Sequence, residues 1–130
     1  MNKRMIRVKR IYDPIQESDG KRILVDRLWP RGVSKEKAGI HEWLKELAPS
    51  HELRKWFHEH AKFDEFKERY RKELTDETKV VFLKQLLKWA EEGTVTLLYS
   101  AKDEANNQAV FLAEIVRGIN QMEETKNPTA

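Results

Sequence analysis

The stretch Ile23-Leu24-Val25-Asp26-Arg27-Leu28-Trp29-Pro30-Arg31-Gly32 decides the reading of this chain, and Val95-Thr96-Leu97-Leu98-Tyr99-Ser100-Ala101-Lys102-Asp103 follows the same logic. Each is a short apolar run that ends abruptly in charged and polar residues. Such a run reads as a buried strand. The segment between the two is long and helical in its periodicity. The strands are therefore expected to be parallel, joined by a right-handed crossover. Parallel strands put both carboxyl ends on one sheet edge, which is where open α/β sheets hold their ligands.

Working outward, Met5 to Tyr12 alternates in the manner of a half-exposed strand, with Ile6 and Val8 on one side and Arg7, Lys9 and Ile11 on the other. Asp13-Pro14 ends it, and Ser18-Asp19-Gly20 marks a turn. That loop is too short for a crossover helix. Direct pairing with the second strand, over about Arg22–Asp26, would then be antiparallel.

Beyond Gly32 the period changes. Ser34 is suited to cap a helix, and Ile40, Trp43, Leu44 and Leu47 recur at i, i+3, i+4, i+7, which predicts an amphipathic helix. Pro49 stops it and Ser50 caps the next, whose stripe is Leu53, Trp56 and Phe57. Phe63, Phe66, Tyr70 and Leu74 mark a third helix. Thr75-Asp76 opens a longer fourth around Leu83, Leu86, Leu87 and Ala90, closed by Gly93. A strand over Thr94–Tyr99 precedes a last helix through Ala109, Leu112, Ala113 and Val116. The expected order is β-β-α-α-α-α-β-α. The expected fold is α/β: a small mixed, largely parallel, Rossmann-like sheet flanked by helices. It forms one domain over residues 1–122, with a flexible polar tail over 123–130.

With 130 residues the chain can build one core but not two ordinary domains. Its 25 Lys and Arg against 22 Asp and Glu leave a mild +3, with both signs interspersed. That balance permits anionic partners without demanding nucleic acid. The absence of cysteine excludes thiol catalysis, disulfides and cysteine-held metals. No run approaches the ~18 apolar residues of a membrane span, and no signal peptide precedes the first strand. A cytoplasmic protein with no membrane partner is expected.

The candidate chemistry lies at the two strand ends. Asp26 sits where the first buried run emerges, and Arg27, Trp29 and Arg31 would line a mouth closed by Pro30 to Gly32. Arginine forks match phosphate or carboxylate oxygens. Asp26 would orient an arginine, bind a hydroxyl or act as a base. The plainer alternative is a salt bridge tying strand to loop. At the second end lie Ser100, Lys102, Asp103, Asn106, Asn107 and Gln108. Here the plainer alternative is that Asp103 or Asn106 caps the last helix and Ser100 satisfies backbone. Asp26 and Asp103 are the candidate catalytic residues. Arg27, Trp29, Arg31, Ser100, Lys102 and Asn107 are the candidate ligand-binding residues.

No glycine-rich phosphate loop is present, and no cofactor is expected. His58 and His60 are two apart and would point away from each other on a helix, so no metal site is expected. Basic residues from Arg54 to Lys72 are interrupted by acids throughout, which reads as a solvated helical face rather than a nucleic-acid surface.

Two strings resemble a known family. Lys9-Arg10-Ile11-Tyr12-Asp13-Pro14 and Leu24-Val25-Asp26-Arg27-Leu28-Trp29-Pro30-Arg31-Gly32 are similar to the YeaO-like branch of a domain-of-unknown-function family. Trp43 to Ser50, Leu53 to Phe57, and Leu97 to Asp103 with Asn107 and Ala109 extend the likeness over nearly the whole chain. The resemblance implies a small cytoplasmic α/β protein of bacteria or archaea and supplies no activity. It also implies a departure at Gln108, where relatives are expected to carry His. A glutamine cannot shuttle a proton, so the site leans toward binding, or toward chemistry run by Asp26. The expected function is to bind or act on a small anionic ligand, a nucleotide or phosphorylated metabolite. The alternatives are a nucleic-acid-associated or regulatory module and a non-catalytic partner-binding protein.

Overall fold

The structure is a computed structural model that describes the backbone of residues 5–126 and the side chains of residues 5–118. In chain order the elements are β1 (Ile6–Arg10), β2 (Lys21–Leu24), α1 (Lys35–Ala38), β3 (Glu42–Trp43), α2 (His51–His60), α3 (Phe63–Glu73), α4 (Glu77–Glu92), β4 (Val95–Tyr99) and α5 (Gln108–Lys126). The backbone of α5 thus crosses the boundary at 122 drawn from composition, and residues 127–130 of the expected tail lie outside the described residues.

The four strands are ordered β1-β4-β2-β3, and every pairing is parallel. The sheet is therefore wholly parallel rather than mixed. β1 and β2 do not pair antiparallel, because β4 lies between them. The connecting residues 11–20 hold only a single 3-10 turn, Glu17–Asp19. Ten residues nonetheless reach roughly 33 Å when extended, about twice the ~17 Å length of a five-residue strand. The chain can return to the start of the sheet without a helix.

A buried ionic knot holds that return. Asp19 accepts from Arg22 Nη1 at 2.6 Å and Lys9 Nζ at 3.0 Å, and its carbonyl accepts from Thr96 Oγ1 at 2.6 Å. The remaining Arg22 donors reach Gly39 O (3.1 Å) and Ala38 O (3.0 Å). Burial opposes ionisation of Asp19, but the Gln16 amide, Lys9 and Arg22 outweigh it and hold the carboxyl below its ordinary value. A buried charge survives only with such complete partnering.

The helix expected through Ile40–Leu47 does not form. α1 is one turn, capped by Ser34 Oγ, and it ends at Gly39 in the left-handed region (φ +56°). The chain then enters the sheet. Glu42 and Trp43 pair with Ile23 and Leu24, and the Leu44 amide donates to Leu24 O at 2.8 Å. Consecutive residues of an extended chain face opposite ways. Trp43 and Leu44 accordingly part: Trp43 packs with Ile40 against Ile11, Leu24, Ala38 and Leu98, while Leu44 and, beyond a 3-10 turn, Leu47 enter the larger core.

That larger core lies on the other face of the sheet. Ile6, Ile23, Val25, Val95, Leu97 and Tyr99 meet residues of α2, α3, α4 and α5 there. The later helices follow their sequence signals closely. Ser50 Oγ accepts from the Leu53 amide, Asp76 caps α4, and Gly93 closes it. The long helices share one face, and the other is covered by α1 and loops.

Gly20 has φ +64°, and a Cβ there would lie 2.3 Å from the Thr94 carbonyl oxygen. Gly20→Ala is expected to cost roughly 2–4 kcal/mol in chemical denaturation, from left-handed strain plus a clash with backbone. A wild-type midpoint in that variant would show that the turn need not approach β4 so closely.

Candidate functional site

The carboxyl ends of β2 and β4 come together at Asp26. Its Oδ2 accepts from both the Ser100 amide (2.9 Å) and the Ser100 hydroxyl (2.7 Å). Its Oδ1 accepts from Gln108 Nε2, at the start of α5. Its own backbone carbonyl accepts from Trp43 Nε1 at 2.7 Å. Asp26 is only 9% exposed. Burial pushes its carboxyl above the ordinary value, against the opposing pull of the Ser100 donors, Arg54 and Gln108. Among the described residues Asp26 makes no salt bridge, and its oxygens are held by neutral donors.

Arginines stand around this carboxylate. Arg27 is steered by a 2.9 Å bond from its Nε to Pro49 O, which leaves its Nη groups without a hydrogen bond to the described residues. Arg31 is exposed on the turn ahead of α1, and the Tyr12 hydroxyl fixes that turn by donating to Arg31 O at 3.0 Å. Arg54 projects from α2. Together with Trp29, Ser100 and Gln108 they line a cleft of about 420 Å³ over Asp26. Among the described residues, none of these three arginines has a carboxylate within ion-pair distance. Trp29 is locked by its Nε1 bond to Val33 O (2.6 Å) and an edge-on contact with Trp43. Arg10 braces the exit of β4 through Ala101 O (2.9 Å) and Ser100 O (3.0 Å). Below the cleft, Tyr70 donates to Leu47 O; complete burial, with Glu73 and Asp26 nearby, pushes its phenol far up and keeps it protonated.

The structure thus brings Asp26, Arg27, Trp29, Arg31 and Ser100 together. Lys102 and Asp103 line no part of this cleft. Asp103 Oδ1 accepts from the Ala105 and Asn106 amides, both at 2.9 Å, and those bonds hold its carboxyl below the ordinary value. Asn107 is buried as the cap of α5, accepting from the Val110 amide at 3.0 Å and donating to Asp103 O at 2.9 Å. Sequence reasoning missed Arg54, which it assigned to a solvated basic face. No local signal marks it, because its place over Asp26 follows from the docking of α2. It also left Gln108 without its role as a partner of Asp26. Among the described residues, no group of three or more His, Asp or Glu is placed to hold a metal ion, and no helix is long and apolar enough to cross a membrane.

The family model described as the inactive DUF488-N3 subclade matches residues 5–130. The chain belongs to that subclade. It is 47% identical over 115 residues to "Uncharacterized protein YeaO" of Escherichia coli (strain K12), covering 88% of this chain and 98% of the relative. It is 40% identical over 114 residues to "Uncharacterized protein Rv3073c" of Mycobacterium tuberculosis (strain ATCC 25618 / H37Rv), covering 87% of this chain and 94% of that protein. No solved structure matches the chain. In this member of the inactive DUF488-N3 subclade, cations and neutral donors surround Asp26. Gln108, an amide, can donate a hydrogen bond there but cannot relay a proton.

The raised carboxyl of Asp26 has a thermodynamic consequence. A group whose folded value lies above its unfolded one disfavours the fold when ionised, and the fold gains stability as pH drops through the folded value. Thermal unfolding should show wild type gaining stability relative to Asp26→Asn as pH is lowered from 7 toward about 4, the unfolded carboxylate value. A constant difference across that window would mean that burial of Asp26 is fully compensated by its partners.

Proposed function

We propose that this protein binds a small anionic ligand, a phosphorylated metabolite or nucleotide, in the cleft beyond β2 and β4, and that it holds the ligand without converting it. The observation that carries this reading is the set of three arginines, each without a carboxylate partner among the described residues, around a cleft that Asp26 floors. Arginine presents a fixed fork of donors that matches phosphate oxygens two at a time. Among the described residues Asp26 is the one acid lining the cleft, against Arg27, Arg31 and Arg54, so the local balance favours an anion.

The case against turnover rests on what Asp26 is already doing. Both of its oxygens accept hydrogen bonds, from Ser100 on one side and Gln108 on the other. Three of the roughly four acceptor positions of its carboxylate are thus taken, which leaves little to aim at a substrate proton. Gln108 supplies no second proton carrier, and the subclade is described as inactive. In this reading Asp26 positions Ser100 and Gln108 and thereby shapes the cleft floor. Trp29 and Tyr12 supply walls that pack against the uncharged part of the ligand.

Titration calorimetry with ribose 5-phosphate and inorganic phosphate tests this directly. Arg31→Ala and Arg54→Ala should each weaken binding about tenfold or more, which is roughly 1.4 kcal/mol. Lys102→Ala, outside the cleft, should leave it unchanged. Affinity should also fall with added salt. Failure of the wild type to bind either probe at millimolar concentration, or equal binding by Arg31→Ala and Arg54→Ala, would overturn the assignment. Release of inorganic phosphate from a bound sugar phosphate would overturn the absence of turnover.

A further inference from the structure

A second cleft, of about 600 Å³, lies beside the first and shares Pro49, Arg54, Ala101 and Gln108 with it. Its character is different. Its walls include Phe57, His51, His58 and Ala61, and among the described residues no acid lines it. Phe57 is half-buried and is backed by a parallel stack on Phe66, with centroids 4.6 Å apart. The rest of the lining carries the cations Arg54 and Lys55 and the amides Asn106, Asn107 and Gln108; Asn106 donates through Nδ2 to Asp103, and its Oδ1 has no partner among the described residues.

The stripe that borders this cleft is built into α2. His51, Arg54, Lys55 and His58 fall at i, i+3, i+4 and i+7, so they share one face of the helix. Leu53, Trp56 and Phe57 point toward the core side. The stripe covers about 10 Å along the helix axis, at ~1.5 Å per residue. Arg54 stands at the junction, lining both clefts.

Resting on the anion-binding reading above, we infer that the ligand is a phosphate joined to a flat aromatic ring, as in a nucleoside monophosphate. The phosphate meets Arg27, Arg31 and Arg54, and the ring enters the second cleft against His58, His51 and the exposed part of Phe57. A flat ring stacks on an imidazole or a phenyl without needing a charge there. Asn106 supplies an amide at the rim for a ring edge. A sugar phosphate alone would leave this second space to water. Stacking of one base is worth a factor of roughly 5 to 150 in affinity.

The full chain is titrated with AMP, GMP, CMP, UMP, ribose 5-phosphate and inorganic phosphate. At least one nucleoside monophosphate is expected to bind tenfold or more tightly than ribose 5-phosphate. In a His51→Ala/His58→Ala variant that advantage should fall at least threefold, while affinity for ribose 5-phosphate stays the same. Both histidines are exposed, and an unchanged unfolding midpoint confirms that the variant is folded. If ribose 5-phosphate binds and none of the four nucleotides binds more tightly, the ring site is overturned and the anion site stands. A nucleotide advantage that survives in the double variant also overturns the ring site. If ribose 5-phosphate, phosphate and all nucleotides fail to bind, both readings fall together.

Discussion

β4 has both of its backbone edges occupied, by β1 on one side and β2 on the other, and all five of its side chains are buried. That one insertion organises the molecule. It forces β1 and β2 to run parallel, because each pairs parallel with the same strand. It demands that residues 11–20 carry the chain back along the sheet, which is what the Asp19–Arg22–Lys9 knot secures. It also delivers Ser100 beside Asp26, although the two are separated by most of the helical part of the chain. The helices between β2 and β4 must all be accommodated before the last strand can pair. The sheet thus closes late in sequence, across long-range contacts, and stability depends on the core beneath it.

Two buried aspartates mark the two ends of this sheet, and their environments push them in opposite directions. Asp19 meets two cations and stays ionised below its ordinary value. Asp26 meets a hydroxyl and neutral amides and is pushed upward by burial. The first arrangement stabilises a turn. The second leaves charge uncompensated at the floor of a cleft, with arginines at its walls whose donors remain available. Arg27 Nε is spent on Pro49 O, and the rest of its guanidinium makes no hydrogen bond to the described residues.

α2 does two jobs because its faces differ. Leu53, Trp56 and Phe57 anchor it to the core, and Ser50 ties its start to Glu73 of α3 through bonds of 2.8 and 2.5 Å. The anchored helix then presents His51, Arg54 and His58 along the adjoining clefts as a rigid row. A site built on a packed helix and two strand ends is held more firmly than one built on loops alone. Arg27, Trp29 and Arg31 lie on the loop between β2 and α1, and Tyr12 and Trp29 brace its turn through the carbonyls of Arg31 and Val33.

By itself the sequence determined the elements whose signals are local. Alternation and buried runs marked β1, β2 and β4. Ser50, Asp76 and Gly93 bounded α2 and α4, because caps act within one helical turn. The strand-end polar residues Asp26 and Ser100 stood out for the same reason. The tertiary structure decided what local spacing left ambiguous. Ile40, Trp43, Leu44 and Leu47 fit a helical stripe, yet Gly39 ends α1, and the open edge of β2 recruits Glu42 and Trp43 as a strand. Asp103 and Asn107 stood out as polar strand-end residues; in the structure Asp103 accepts from the Ala105 and Asn106 amides of the loop, and Asn107 from the Val110 amide in the first turn of α5. Arg54 could not be told from other solvated basic residues, since its position over Asp26 depends on how α2 docks against the sheet. Local chemistry is written in neighbouring residues. Which strand fills the centre of a sheet, and which helix face overlooks its edge, follows from burial summed over the whole chain.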